Sequence, residues 1–262
     1  MEKPLAGRTA LVTGAGVRLG RALALGLGRA GASVAIHYHR TEVGALEVKE
    51  TLQAEGGVAE VFSADLRDLS APAGLAAAVE ARLGPISILV NSAARFDRAK
   101  FTETPSQVLE ALWALNARAP FLLTQAVAGG MVARGAGDVL NVLDIGGAVV
   151  PWQQYSAYCM SKAALGMLTQ CLALELAPAV RVNGIAPGTV LPPEGLPPGE
   201  LEALRRRIPL QRFGSPEDVV QTALFLLTGP TFITGQIIAV DGGRGRGMSR
   251  QETLGPGQTA GR

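Results

Sequence analysis

Cysteine is almost missing. Cys159 and Cys171 are the two in 262 residues, and neither has a Cys or His neighbour at metal-ligand spacing, which leaves no basis for a disulfide scaffold or a zinc module. A reducing, cytoplasmic setting is the expectation that follows. A surplus of one charge is missing too: 24 Lys+Arg stand against 22 Asp+Glu, a formal net charge of +2, so neither nucleic acid nor an anionic membrane is expected as a partner. The start, Met1 to Arg8, carries Glu2, Lys3 and Pro4 and no apolar run, so it lacks a signal-peptide pattern and the mature chain is expected to begin near Met1. The longest uncharged stretch, Val219 to Val240, is broken by Gly229 and Pro230 and diluted by Gln221 and Gln236, and reads as helix, turn and strand rather than a membrane span.

Apolar residues are plentiful, at 48 %, enough to bury a sizeable core. Thr9 to Thr13 is a short apolar run, and Leu19, Ala22, Leu23, Gly26, Leu27 and Ala30 then recur at helical spacing. Gly31 ends that helix, and Ser33 to Ile36 starts a second strand without alternation, as in a parallel sheet covered on both faces. Further strands are expected at Ala59 to Phe62, Ile86 to Val90, Val139 to Leu143, Val180 to Ile185 and Gln236 to Val240, with helices between them. Seven strands alternating with helices predict an α/β fold: one Rossmann-type, doubly wound domain with a seven-stranded parallel sheet. The domain spans residues 1–245, and 246–262, rich in Gly and Arg and without aromatics, reads as a flexible tail or a segment docking on a neighbouring subunit. Gly188 to Gly199 holds Pro192, Pro193, Pro197 and Pro198 and is expected to be non-helical, either a substrate lid or a plain connector.

Directly after the first strand, Thr13-Gly14-Ala15-Gly16-Val17-Arg18-Leu19-Gly20 opens the first helix. Glycines allow a tight turn and close backbone approach, and a helix N-terminus offers free N-H groups to a pyrophosphate, so Gly14, Arg18, Leu19 and Gly20 are candidate dinucleotide contacts. Arg18 replaces a third glycine and is placed either on phosphate oxygens or in the catalytic cleft. The second strand ends in His37-Tyr38-His39-Arg40-Thr41 with no carboxylate for a ribose 2′-hydroxyl, whereas Arg40, His39 and Thr41 suit a 2′-phosphate, which predicts NADPH. The competing reading of Arg40 is an ordinary exposed charge, and that of His37 a satisfied imidazole. Asp65, in Ala64-Asp65-Leu66, either accepts from the adenine amino group or caps the following helix.

Tyr158 and Lys162 stand four apart in a helical segment and share one face. Ala164, Met167, Leu168, Cys171 and Leu174 cluster on the opposite side, which is expected to be the buried one. A nearby ammonium favours phenolate, so Lys162 is expected to tune Tyr158 as a proton donor near neutral pH and also to hold the nicotinamide ribose.

In the order in which they occur, Thr13 to Gly20, Asn91-Ser92-Ala93-Ala94, Asn116, Tyr158-x-x-x-Lys162, Pro187-Gly188 and Val240-Asp241-Gly242-Gly243 resemble the short-chain dehydrogenase/reductase pattern over nearly the whole chain. The resemblance implies that Asn91 and Ala93 line the cofactor, that Asn116 anchors a proton-relay water, that Pro187, Gly188 and Thr189 flank the nicotinamide, and that the protein is a homotetramer built on paired long helices. Three departures are similar to pteridine reductases and dihydromonapterin reductases: Arg18 in the turn, His-Tyr-His-Arg after the second strand, and Asp144 with Ile145 where a catalytic serine is usual. By the same resemblance Phe96 stacks a pterin ring and Thr189 to Glu194, with Leu191, forms the substrate loop. Asp144 precedes Tyr158 by 14 residues where that branch has about 13, so an inserted residue between Gly146 and Pro151 is assumed. An ionised Asp repels a nascent alkoxide, which disfavours ketone reduction, whereas a carboxyl group is a useful donor to a ring nitrogen. The competing reading of Asp144 is a turn cap and that of Phe96 a core aromatic.

The expectation is an NADPH-dependent reductase of a dihydropterin or dihydrofolate C=N bond, with Asp144, Tyr158, Lys162 and Asn116 catalytic and Arg18, Phe96, Tyr158 and Leu191 on the substrate. The alternatives are a carbonyl reductase of a 3-oxoacyl thioester, sugar or small ketone, and a catalytically silent NADPH-binding module.

Overall fold

The structure is a computed structural model, described for residues 3–192 and 195–246. The expected tail from residue 247 onward, and Pro193 and Glu194 of the expected substrate loop, lie outside the described residues. Strands β1 (Thr9–Val12), β2 (Ser33–Tyr38), β3 (Ala59–Ser63), β4 (Ile86–Asn91), β5 (Gly137–Val142), β6 (Val180–Pro187) and β7 (Ile237–Val240) form one parallel sheet in the order β3-β2-β1-β4-β5-β6-β7. The order reverses between β1 and β4, and there the carboxyl ends of the strands open a crevice, the place where doubly wound sheets bind ligands.

Helix α1 (Arg18–Arg29) turns Leu23 and Leu27 onto the sheet, and its glycines let neighbours approach. A Cβ on Gly26 or Gly28 would collide with Val220 or Leu52, so α1 lies close against α2 (Glu42–Ala54) and α9 (Pro216–Thr228). Ser215 and Asp218 cap α9 reciprocally, and the uncharged stretch 219–240 is α9, a turn and β7, as its Gly-Pro break predicts. The opposite layer holds α3 (Ala71–Leu83), α4 (Ser106–Trp113), α5 (Ala119–Arg134) and α7 (Ser156–Glu175), with Leu123, Val127 and Met131 in its core. Among the described residues no helix is long and apolar enough to cross a membrane.

Two expectations fail here. The segment 188–199 is not wholly non-helical, because Pro198 and Gly199 open α8 (Pro198–Arg206); proline is tolerated in a first turn, where its missing N-H has no intrahelical partner. The apolar stripe of α7 faces outward: Met167 is 60 % and Leu174 83 % exposed, and the helix buries Tyr158, Ser161, Lys162, Leu165, Gly166 and Thr169 instead. Polar groups on that face are satisfied internally: Thr169 Oγ1 donates to the Leu165 carbonyl and accepts from Asn141 Nδ2. Burial there costs no unpaired donor. Replacing Leu23, fully buried in α1, by Ala should lower unfolding free energy by about 2–5 kcal/mol, read from urea denaturation.

Candidate active site

A cleft of about 1320 Å³ opens over the carboxyl ends of the strands. At one end β1 passes into the glycine-rich turn. Gly14 has φ 65°, and a Cβ there would lie 2.9 Å from Ala93 Cα, so only glycine lets the turn and the 91–94 segment close on each other. Thr13 Oγ1 locks them together by accepting from the backbone N-H groups of Ser92 and Ala93, both at 2.9 Å. His37 is a satisfied imidazole: Nδ1 accepts from Gly14 N at 3.2 Å, Nε2 donates to the Ala64 carbonyl at 3.1 Å, and burial pushes its pKa down to about 4. The strand-end histidine is therefore a neutral brace beneath the turn.

Gly14, Arg18, Leu19, Gly20, His39, Arg40, Thr41, Leu66 and Ala93 all line this end, and Pro187, Gly188, Thr189 and Leu191 line the other. Arg40 is exposed and forms no ion pair among the described residues. Arg18 has φ 51° and reaches across the cleft to donate to the Leu191 carbonyl at 3.2 Å, tying the turn to the expected substrate loop.

Asp65 also lines the cleft, but its carboxylate is already engaged. It accepts from Arg67 N, Nε and Nη2, and His39 Nε2 lies 3.7 Å away. The Arg67 hydrogen bonds hold its pKa well below the usual carboxylate range. It does not cap α3, whose N-cap is Ser70. Two further expected residues do not line the cleft. Asn91 turns inward, and its Nδ2 donates to Asn141 Oδ1 at 2.9 Å, joining β4 to β5. Asn116 is fully buried in a π-helical turn (Ala114–Arg118), where Oδ1 accepts from Arg95 N and Nδ2 donates to the Arg95 carbonyl and Ser161 Oγ. It holds the strand loop that carries Phe96 and spends its polar atoms on protein. The π-helical turn makes Asn116 a helix-kink residue, a placement compatible with the relay role that the family resemblance implies.

The centre of the cleft is built by Asp144, Tyr158 and Lys162. Asp144 follows β5 and uses its two oxygens differently. Oδ1 accepts from Gly146 N at 2.7 Å, capping the short distorted turn α6 (Ile145–Ala148), and Oδ2 accepts from the Tyr158 hydroxyl at 3.0 Å. The turn cap and the cleft-facing carboxyl are thus one residue. Gly147, at φ 101°, lets the turn fold tightly against the Cys159 carbonyl, so the 14-residue separation still brings the two side chains together. Burial raises the Asp144 pKa to about 6, against the smaller downward pull of the Gly146 and Tyr158 hydrogen bonds and of the Lys162 and Arg244 charges.

The Tyr158 shift runs opposite to the expected tuning by Lys162. Burial first, and then the Asp144 charge, push the Tyr158 pKa upward. Lys162 is buried and donates from Nζ to the Val142 carbonyl at 2.8 Å, and desolvation lowers its pKa to about 8. A carboxylate beside a phenol disfavours phenolate. Asp144, at about 6, and Lys162, at about 8, lie on either side of neutrality.

Phe96 is 54 % exposed and belongs to the cleft, not the core. Its centroid lies 4.7 Å edge-on from Tyr158 and 4.8 Å in a stack with Tyr155, and Trp152 closes an aromatic box at 6.2 Å. Trp152, Tyr155, Arg207 and Arg244 were not anticipated. The signal for the first two was in the chain: aromatics are 5 % of residues, yet Trp152, Tyr155 and Tyr158 fall within seven positions. Nothing local marks the arginines.

Residues 14–244 match the family described as enoyl-(acyl carrier protein) reductase. The chain belongs to the short-chain dehydrogenase/reductase family. As a member it is an NAD(P)-dependent oxidoreductase, and the collision-tight glycine turn, the helix N-terminus behind it and the cleft around them fit a dinucleotide. L-xylulose reductase of Mus musculus is 38 % identical over 93 % of this chain and 98 % of that protein. 5-Keto-D-gluconate 5-reductase of Escherichia coli (strain K12) is 36 % identical over 91 % of this chain and 96 % of that protein. A crystal structure of gluconate 5-dehydrogenase from Burkholderia cenocepacia J2315, in complex with NADP and tartrate, superposes with a TM-score of 0.86 at 31 % identity, covering 93 % of this chain and 97 % of that one. These relatives are named for sugar and sugar-acid chemistry, not for pterins.

Removing the Tyr158 hydroxyl in Tyr158→Phe deprives the Asp144 carboxylate of a donor, so the Asp144 pKa should rise above about 6; a carboxyl infrared titration of wild type and variant reads the shift.

Proposed function

We propose that this short-chain dehydrogenase/reductase is an NADPH-dependent reductase of a dihydropterin or dihydrofolate C=N bond. The observation that carries the reading is the carboxyl of Asp144, poised near pKa 6 and 3.0 Å from the Tyr158 hydroxyl, beside an aromatic box. A bound NADPH would supply the hydride. The protein supplies the proton that the neighbouring ring nitrogen needs. Protonated Asp144 donates to the Tyr158 oxygen as Tyr158 donates to that nitrogen, so the C=N bond becomes CH-NH and both side chains end with their charges unchanged except for the proton lost from Asp144. Phe96, Tyr155 and Trp152 present flat apolar faces to a flat ring. Lys162 and the 187–189 backbone hold the nicotinamide end, and Arg40, with His39 and Thr41, reads the 2′-phosphate.

The second reading, reduction of a sugar or small ketone, is favoured by the names of the relatives. It leaves Asp144 without a proton-donor role, and an ionised Asp144 opposes the charge growing on an alkoxide. The silent-module reading has no support from a cleft in which Tyr158, Lys162 and Asp144 converge. A homotetramer accords with the outward apolar residues Phe121 and Val132 on α5 and Met167 and Leu174 on α7, and sedimentation of the purified chain decides it.

NADPH oxidation assays with dihydrobiopterin, dihydrofolate, L-xylulose and an acetoacetyl thioester, run side by side, test the reading directly: turnover of the pterins is expected, and turnover of carbonyl substrates alone would remove it. Because a raised carboxyl pKa keeps the proton on up to about pH 6, kcat/KM for the pterin should fall as pH rises through that value. Asp144→Asn should abolish this limb and lower kcat by about 10² or more, measured in a pH-rate profile. Arg40→Asp should lower the NADPH:NADH ratio of kcat/KM by about 10², the worth of one charge-assisted phosphate contact, and an unchanged ratio would remove Arg40 from the phosphate site.

A further inference from the structure

Two arginines of the cleft have no part in the reaction described above. Arg207 is the residue after α8, and Arg244 follows the Gly242-Gly243 pair after β7. Backbone packing brings them to one wall. Leu210 N donates to the Gly242 carbonyl at 3.1 Å, and a Cβ on Gly242 or Gly243 would lie 2.6 Å from Ile208 Cγ2 or 3.1 Å from Pro209 Cγ, so the 207–210 turn lies flat on the glycine pair. Both arginines then face the cleft that holds Asp144, Phe96 and Tyr158.

Neither forms an ion pair among the described residues; Asp144, whose charge Arg244 feels across the cleft, gives its oxygens to Gly146 N and the Tyr158 hydroxyl, and the other acids nearby are committed elsewhere. Glu202 binds Arg205 and Arg206, and Asp218 binds Arg212 and the Ser215 backbone. Asp241 accepts from Gly243 N at 2.8 Å and Gly245 N at 2.6 Å. Arg244 is held in place from two sides: Nη1 donates to Thr189 Oγ1, and its guanidinium carbon lies 5.6 Å from the Trp152 ring centroid. Its remaining donors are free to make a forked contact. Burial and the neighbouring Arg207 charge lower the Arg244 pKa against the smaller upward pull of Asp144 and Asp241, so the two like charges facing one space are only partly compensated. An anion placed between them would relieve that repulsion.

We infer that Arg207 and Arg244 form a carboxylate-binding subsite beside the aromatic box, and that the substrate is a flat ring bearing a carboxylate-carrying side chain. The inference rests on the ring-reduction reading for the identity of the ring, and on the arginine pair alone for the carboxylate. It favours a folate-type substrate over an unconjugated pterin, because only the former carries carboxylates.

Calorimetric titration of the NADP⁺-loaded, full-length protein with folate, biopterin and p-aminobenzoyl-L-glutamate tests it. Folate is expected to bind at least about ten-fold tighter than biopterin, since a charge-assisted pair is worth that factor or more. In Arg207→Gln/Arg244→Gln that advantage should shrink to about three-fold or less, and Arg244→Lys, which keeps the charge and loses the fork, should fall between. An advantage that survives the double substitution, or no folate advantage in the wild type, overturns the inference. So does an NADPH affinity that falls as much as that for folate, which would assign the pair to the cofactor. Binding of p-aminobenzoyl-L-glutamate that the double substitution removes, with neither pterin bound, leaves the carboxylate subsite standing and removes the ring-reduction reading. Absence of binding by all three removes both.

Discussion

The centre of the cleft depends on one carboxyl group that serves two partners at once. Asp144 gives one oxygen to the backbone N-H of Gly146 and the other to the Tyr158 hydroxyl. The first contact fixes the turn after β5, and the turn in turn fixes the direction of the second. A carboxylate so placed is largely withdrawn from water, and the cost of ionising it there is what moves its titration to about 6. The same burial and the same charge hold Tyr158 neutral. Structural cap, raised carboxyl and phenol partner therefore form one coupled arrangement.

Around this centre the polar residues divide into those that face the cleft and those that support it from behind. Thr13, His37, Asn91 and Asn116 spend their hydrogen bonds on backbone and on each other's strands. They set the positions of Gly14, Ala93, Arg95 and Phe96. Arg18 is different, because it spans the cleft from the glycine turn to the Leu191 carbonyl. The segment at 188–192 is thus tied to the dinucleotide end by a side chain that a glycine at that position would lack. Arg207 and Arg244 close the remaining wall with positive charge.

Much of the fold was legible in the chain. The continuous apolar runs of β2 and β4, with helical spacing between them, require a parallel sheet covered on both faces, and the Gly229-Pro230 break assigns the last uncharged stretch to helix and strand. Most of the cleft was legible as well, because Gly14, Arg40, Tyr158 and Lys162 carry chemistry that only particular residue types supply. Helix α7 was misjudged on the ground that made it look simple. Its apolar stripe, Met167 to Leu174, suggests a buried face, but Thr169 and Ser161 have partners on the inner side, and burial follows satisfied polar groups as readily as apolar ones. Pro198 illustrates the same limit, since a proline excludes a helix interior but not its first turn.

The sequence by itself determined the layering, the glycine-rich turn and which side chains with distinctive chemistry line the cleft, because these follow from local spacing and from chemistry that few side chains possess. Tertiary structure alone decided the direction of the Tyr158 shift, the loss of Asn91 and Asn116 to internal duty, and the meeting of Arg207 with Arg244. Each of these depends on how far a charge lies from water and from a second charge distant in the chain, and no spacing along a sequence encodes that distance.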